Sequence, residues 1–451
     1  MNDTIVALAT PAGKSGVAVI RISGDGVLRA AHFLGIKRKL KPRMAHYVEL
    51  KHPINGATID KIIAIYFAAP HSFTGEDVLE LHCHGSKAII QEVIQLLISS
   101  DFVRHANAGE FTRRAVENGK MDLLQAEALA DLINAETVAQ RDLALRQMGS
   151  EVSNKFQQLE QAIINARAFT EVHLDFPDDD IDDDIQEQIN AKIDDCLEQA
   201  QLLLSTADAG RAIRDGIKVA IIGVPNAGKS TLLNAIAQKR VAITSDVAGT
   251  TRDAISHYCE INGIIYCFID TAGLRESQDK IEAEGILIAK EMIYAADILF
   301  CVMDLTQDLH QQFEQLKEIV SRETILVGNK IDLLSSELLD LQKRTINDLG
   351  IVSRETIFIS ANDAQTEEVI KKTLQKRKNI VANDAIYVTR ERHVFHLNEA
   401  CDHLVHAKNE ANMVLKAQFL IYACNEVGMI LGKINIEQVL DALFFNFCIG
   451  K

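Results

Sequence analysis

Eight consecutive residues constrain this chain more than any others: Gly223-Val224-Pro225-Asn226-Ala227-Gly228-Lys229-Ser230. They fit G-x-x-x-x-G-K-[ST], follow an apolar run at 219–222 and lead into a helix-forming run at 231–237. Strand, glycine loop, helix is the order in which backbone N–H groups can wrap phosphates while the helix N-terminus adds its positive end. Lys229 is expected to reach the outer phosphates and Ser230 to bind magnesium, with Asn226, Ala227, Gly228 and Thr231 completing the wall. Only one such loop occurs in the 451 residues.

A phosphate loop of this kind is launched from a parallel sheet, and the chain supplies the pattern for one. From about 214 to 375, apolar runs at 217–222, 266–269, 298–303, 324–327 and 356–359 alternate with helical stretches, which predicts a doubly wound α/β domain. Asp270-Thr271-Ala272-Gly273 ends one of these runs. An Asp there holds magnesium through water, and the Gly273 amide faces the last phosphate. Asn329-Lys330-Ile331-Asp332 follows another run. A carboxylate at Asp332 accepts two hydrogen bonds from guanine ring nitrogens, a donor pair that adenine lacks, so the site selects guanine. Ser360-Ala361 ends the next run, where an amide meets the guanine oxygen, although the chain departs from the usual pattern at Asn362-Asp363. Between the loop and Asp270 lies Ala248-Gly249-Thr250-Thr251-Arg252-Asp253, in which Thr251 is the residue expected to close over magnesium and the terminal phosphate.

The flanks read differently. Residues 1–118 alternate β-rich runs (17–22, 45–50, 62–68, 78–82) with turns and one helical stretch at 88–98, an α+β pattern. Residues 120–209 are helical: Phe156, Leu159, Ile163 and Ala166 share a face, as do Ile193, Leu197, Ala200 and Leu204. The acidic run at 178–184 reads as a solvated loop entering a helix N-terminus. After 378 the chain is helical again, with Val394, Leu397, Cys401 and Leu404 aligned. Two helical blocks bracketing an α/β domain imply one helical domain with the α/β domain inserted into it.

Lys+Arg 47 against Asp+Glu 63 gives a formal net charge of −16, which excludes bulk attraction to nucleic acid or anionic lipid. Any RNA must be met locally. Two basic clusters are candidates for phosphate contact: Lys37-Arg38-Lys39 with Lys41 and Arg43, and Lys371-Lys372 with Lys376-Arg377-Lys378. Solvated turns are the plainer reading of both. The eight cysteines form no C-x-x-C pair, and Cys83, Cys259, Cys267 and Cys301 sit in apolar runs, as buried free thiols do in a reducing, cytoplasmic compartment. The start of the chain lacks the basic region of a signal peptide, and no run is expected to reach the roughly 18 apolar residues of a membrane span. His82-Cys83-His84 raises a zinc reading, but no third ligand is evident.

Three segments outside the α/β domain complete a likeness that covers the whole chain: Arg21-Ile22-Ser23-Gly24, Ser72-Phe73-Thr74-Gly75-Glu76-Asp77 and Gly109-Glu110-Phe111-Thr112. Together with Asn226 in the phosphate loop, the 249–253 stretch, Asp270 to Gly273 followed by Leu274-Arg275-Glu276, and Cys448-Ile449-Gly450-Lys451, the sequence resembles the MnmE (TrmE) family of tRNA-modification GTPases. The resemblance implies an N-terminal folate-binding and dimerising domain (1–118), a helical domain in two parts (119–213 and 379–451) and an inserted Ras-like GTPase domain (214–378). It implies a carboxymethylaminomethyl or aminomethyl group added to the wobble uridine of certain tRNAs. The carbon comes from a formyl- or methylene-tetrahydrofolate, and the partner is an MnmG-type flavoprotein carrying FAD and using NADH, in a heterotetramer.

Many GTPases place a Gln after the D-x-x-G element, whereas Leu274 stands here and can neither donate nor accept. The resemblance implies a potassium ion in the place of an arginine finger, held by Asn226 and by Ser245, Val247 and Thr250 of a loop that also contains Asp246, Ala248 and Gly249. It makes Glu282 the catalytic acid that orients water. Its folate ligands match Arg21, Glu80, Lys120 and Lys451. Cys448 is an inert small residue or a thiol activated by Lys451. Rival readings are a ribosome-assembly GTPase of the Era or EngA type, a GTP-sensing scaffold, or a folate-dependent transferase with a vestigial nucleotide site. Era would carry a KH domain and EngA a second phosphate loop, and neither is seen.

Overall fold

A computed structural model describes residues 3–175, 183–237, 256–270, 295–317, 319–320, 324–351, 353–376 and 385–433. Contacts divide the chain into two compact units, one comprising 1–133, 145–201 and 395–451, the other 134–144 and 202–394.

In the first unit, alternation along each strand sorts apolar side chains to one side of a sheet. The elements are β1 (Thr4–Leu8), β2 (Ser15–Ser23), α1 (Val27–Phe33), β3 (Ala45–Lys51), β4 (Thr58–Phe67), β5 (Val78–Gly85), α2 (Lys87–Ile98), β6 (Val103–His105) and α3 (Glu110–Glu117). The sheet order is β3-β4-β5-β2-β1-β6, antiparallel except where β6 runs parallel to β1. Val48, Leu50, Ile62, Ala64, Leu79, Leu81, Ile20 and Ile22 form its buried face, packed with Val27, Ala30 and Ala31 of α1 and Val93 and Leu97 of α2. The opposite face leaves Tyr47 and Ile63 exposed, a register pair on β3 and β4. Arg21 and Glu80 lie on that same opposite face, since Ile20, Ile22, Leu79 and Leu81 point the other way.

Helices follow: α4 (Leu123–Asn134), α5 (Val138–Met148), α6 (Ser150–Asp175), α7 (Asp183–Leu204) and α8 (Ala207–Arg214). The stripe Phe156, Leu159, Ile163 and Ala166 of α6 is fully buried. On α7 the buried stripe is Ile189, Ile193, Cys196, Ala200 and Leu203, while Leu197 and Leu204 sit at its margin and are half-buried. A step of seven from 189 to 196 to 203 chooses that face over the one expected from 193, 197, 200 and 204.

The second unit holds β7 (Ile217–Gly223), α9 (Lys229–Ala237), β8 (Ser256–Ile261), β9 (Ile264–Asp270), β10 (Ile298–Asp304), α10 (Leu309–Leu316), β11 (Thr324–Asn329), α11 (Ser336–Asp348), β12 (Glu355–Phe358) and α12 (Thr366–Gln375). The sheet order is β12-β11-β10-β7-β9-β8, parallel except for the antiparallel edge strand β8. Every residue of β10 and β11 is buried, as expected for strands covered on both faces. Strand order turns back on either side of β7, which puts the loop after β7 at the crevice where such sheets bind ligands. The fold is thus α/β plus α, with a doubly wound domain between helical blocks. Cys83 and Cys301 are buried thiols outside any disulfide, whereas Cys259 and Cys267, at the β8 side of the sheet, are likewise not in disulfides but only half-buried.

The last described helices are α13 (Glu391–Asn409) and α14 (Met413–Leu431). On α13 the buried residues are Leu397, Ala400, Leu404 and Ala407, with Val394 and Cys401 at the margin. By length and composition α14 could cross a membrane, contrary to the expectation that no run would. Its packing says otherwise: it lies along α6, and its charges have partners inside the bundle. Lys416 is fully buried and donates to Asn190 Oδ1 (3.0 Å), burial lowering its pKa, while Glu426 Oε2 meets His396 Nδ1 at 2.6 Å.

Candidate nucleotide site and an ion-pair cluster in the front domain

The phosphate loop is shaped by close approach. A Cβ on Gly228, whose φ is +97°, would lie 2.2 Å from Asn329 Nδ2, and one on Gly223 would lie 2.3 Å from the Val302 carbonyl oxygen. Asn226 takes a left-handed φ of 63°, and its side chain is exposed at the loop tip. Lys229 is buried, and its Nζ donates to the carbonyls of Gly223 (3.0 Å) and Val224 (2.8 Å). Ser230 and Thr231 follow in the first turn of α9.

One side chain ties this loop to a second. Asn329, 2% exposed at the end of β11, donates from Nδ2 to the Ala227 carbonyl (2.8 Å), and its Oδ1 accepts from the Ala361 amide (2.9 Å). The Ser360–Ala361 turn is braced in its own right, because Thr366 Oγ1 donates to the Ser360 carbonyl at 2.5 Å. Asp332 is exposed on the short 3-10 turn Ile331–Leu333, which is held to this strand end by the Ile331 amide donating to the Ile359 carbonyl. Asp270 ends β9 beside Ile221 of β7. The predicted loop residues from Asn226 to Thr231, with Asn329, Lys330, Asp332, Ser360 and Ala361, therefore gather at the carboxyl edge of one sheet.

Sequence reasoning missed Asp304. It is fully buried at the end of β10, with Oδ2 2.6 Å from Lys330 Nζ and Oδ1 accepting from the Thr306 amide (2.9 Å) and hydroxyl (2.6 Å). Burial drives its carboxyl up, but the Lys330 ammonium and the Thr306 donors outweigh that and hold its pKa below the usual value. Gln312 of α10 brackets its backbone, accepting from the Asp304 amide and donating to its carbonyl. The signal was available: like Asp270, it is a carboxylate closing an apolar strand.

Ser245, Asp246, Val247, Ala248, Gly249, Thr250, Thr251, Thr271, Ala272, Gly273, Leu274, Glu282, Cys448 and Lys451 lie outside the described residues, as does most of the 178–184 run.

In the front domain, the three segments noted in the sequence converge. Arg21 and Glu80 are register partners on β2 and β5, and Arg21 donates from Nε (3.0 Å) and Nη2 (2.9 Å) to Glu80 Oε1. The guanidinium stands near the rings of Phe73 (5.3 Å) and Phe111 (5.7 Å). Glu76 accepts from Ser23 Oγ (2.7 Å) and from Arg114 Nη1 (3.1 Å). Arg114 Nη2 donates to Glu110 Oε1 (2.9 Å) and Asp3 Oδ1 (2.6 Å), and Arg104 also pairs with Glu110 and Asp3. Burial pushes the Glu110 carboxyl up, yet Arg104, the Asn107 amide and Arg114 pull it below the usual range; Arg104 lowers Asp3 likewise. Asn118 Nδ2 donates to the Thr74 carbonyl, and the Lys120 stem lies against Gly75.

His82 Nε2 sits 3.4 Å from Glu80 Oε2. His84 Nδ1 is bonded to Asp60 (2.8 Å), and Cys83 points to the core, where burial pushes its thiol up to about 12. Among the described residues, no group of three or more His, Cys, Asp or Glu is placed to hold a metal.

A doubly wound sheet with a phosphate loop after its first strand, coupled through Asn329 to an N-K-x-D turn, defines a P-loop nucleotide-binding protein with a G-domain fold. Comparison narrows this. The family model for the MnmE helical domain matches residues 123–448, and that for the GTP-binding protein TrmE N-terminus matches residues 4–120. Proteins named tRNA modification GTPase MnmE from Rickettsia typhi and Aquifex aeolicus are each 37% identical, covering 100% of this chain and 100% of the relative. One of the same name from Wolbachia pipientis subsp. Culex pipiens is 39% identical, covering 100% of this chain and 99% of the relative. The chain belongs to the MnmE family.

Proposed function

We propose that this chain hydrolyses GTP and uses the cycle to modify tRNA at a wobble uridine. The observation that carries the nucleotide half is the Asn329 amide, which joins the phosphate loop to the turn at Ala361 and so builds one site for both ends of a guanosine nucleotide. The names of full-length relatives at 37% identity support the tRNA half.

In this reading Lys229 exchanges the Gly223 and Val224 carbonyls for the outer phosphates, and Asp332 reads the guanine edge while Asp304 holds Lys330 beside it. Ser230, Thr251 and Asp270 would hold magnesium, and Asn226, exposed at the loop tip, would hold potassium with Ser245, Val247 and Thr250. A potassium ion held there would supply positive charge where the transition state gains negative charge. Glu282 aligns water, a task Leu274 cannot perform.

The front domain takes a reduced folate in formyl or methylene form. Arg21 is fixed by Glu80 and two aromatic rings, so its Nη1 edge stays available to the ligand, with Lys120 and Lys451 to meet the anionic tail. The exposed sheet face around Tyr47 and Ile63 suits a second copy of the chain. An MnmG-type flavoprotein supplies FAD chemistry. The proposed domain limits are 1–118, 119–213, 214–378 and 379–451. Two measurements test the reading: steady-state phosphate release, expected to be much faster in potassium than in sodium, and nucleoside analysis of tRNA from a strain lacking the chain. Only stoichiometric phosphate would make it a scaffold, and an unchanged wobble uridine profile would defeat the tRNA assignment.

A further inference from the structure

The loop from α1 to β3 is held rigidly while it turns its charges outward. Gly35 (φ +84°) closes α1, and Ile36 and Leu40 plug into the front-domain core. The Lys41 amide donates to His46 Nε2 (2.9 Å), the Arg43 amide to the Tyr66 carbonyl (2.7 Å) and Arg43 Nη2 to the His71 carbonyl (3.0 Å). Between these anchors Lys37, Arg38, Lys39, Lys41 and Arg43 are all exposed. Lys37, Arg38, Lys39 and Lys41 have no carboxylate partner among the described residues, although nearby Arg29 and Lys51 are paired with Asp101 and Glu49.

In the other basic cluster, equal to it in sequence, the three lysines among the described residues are neutralised. Lys371 pairs with Glu367 (2.5 Å), Lys372 with Glu368 (2.8 Å) and Lys376 with Glu355. Five cations in seven residues, on a chain of net charge −16, repel one another unless an anion sits among them. We infer that this loop grips the phosphate backbone of tRNA, an inference that rests on the tRNA reading above. A lipid surface fits less well, because Ile36 and Leu40 are turned into the core and leave little to insert.

The test is binding of fluorescent tRNA to the full-length chain over a series of KCl concentrations. Lys37→Gln, Arg38→Gln, Lys39→Gln and Lys41→Gln combined should weaken binding at least about tenfold near 0.1 M salt and flatten the slope of log K against log salt by about 3. GDP affinity and the thermal midpoint should not change. The control Lys371→Gln, Lys372→Gln and Lys376→Gln should leave the slope within about 1 of the unsubstituted chain. Parallel salt lines for the unsubstituted chain and the first variant would overturn the inference. So would equal losses in both variants, or loss of binding to anionic phospholipid vesicles with tRNA binding intact. A chain that binds no tRNA even at low salt would instead overturn the reading beneath it.

Discussion

Asn329→Ala removes the side chain that, among the described residues, spans both nucleotide loops. It leaves the Ala227 carbonyl without its side-chain donor and the Ala361 amide without its acceptor, in a position where Asn329 itself is 2% exposed. A buried polar group left without its partner costs about 1–3 kcal/mol, so two such losses at about 1.5 each come to about 3 kcal/mol. At 1.4 kcal/mol per factor of ten, that is about a hundredfold in an equilibrium constant. If the loops stay folded but lose their common alignment, the whole effect falls on the affinity for GDP. Titration of a fluorescent GDP analogue reads it, with urea unfolding alongside to measure any share taken by stability. Asn329→Asp sharpens the test, since it keeps the acceptor for Ala361 but sets an oxygen against the Ala227 carbonyl. It should bind no better than the alanine variant. Affinity within threefold of the unsubstituted chain for either variant, with unfolding unchanged, would refute the coupling.

Gly228→Ala should abolish nucleotide binding, because its Cβ meets Asn329 Nδ2 at 2.2 Å on a backbone at φ +97°; the GDP titration checks it. Glu282→Ala should reduce turnover by at least about a hundredfold with GDP affinity retained, as for loss of a group that acts only on water; single-turnover phosphate release reads it. Asp3 and Glu110 have folded pKa values below their ordinary ones, so their contribution to stability is complete above the unfolded carboxylate range, near 4, and is lost as pH falls through the folded values. Urea midpoints should therefore drop steeply below about pH 4.5, and Glu110→Gln should flatten that drop while lowering the midpoint at pH 7. Cys83 and Cys301, with thiols pushed up to about 12 by burial, should resist alkylation at pH 8 in the native chain and react after denaturation, read by mass spectrometry.

The α/β sheet was readable because its central strands are buried on both sides and spell continuous apolar runs. Three strands escaped: β1, β6 and β8. β1 is five residues long, and β6 only three; β8, Ser-His-Tyr-Cys-Glu-Ile, is a mixed edge strand whose hydrogen bonds to β9 define it more than its composition does. The α7 stripe was misjudged because apolar residues occupy two adjacent faces. Packing chose the one containing Cys196 and left Leu197 at the rim.

The two sites differ in legibility for a physical reason. A phosphate loop works through consecutive backbone amides, so its chemistry is written in consecutive residues, and even its partner turn is a four-residue word. The Arg21 cluster works through side chains that meet only after register is set. Arg21 faces Glu80 across 59 positions, and Arg114 reaches Glu76 across 38. Nothing in spacing alone announces such pairs. Asp304 falls between the two cases: its strand was visible, yet its role depends on Lys330, 26 residues later, turning back from a left-handed backbone to meet it. The same distinction separates the basic clusters. In sequence both are runs of cations, but a helix sets Glu367 and Glu368 four residues before Lys371 and Lys372 and cancels them, while the loop after α1 offers its lysines no such neighbour. Charge that secondary structure neutralises is a surface; charge that a rigid loop holds apart and unpaired is a demand for an anion, and its salt dependence is where that demand becomes measurable.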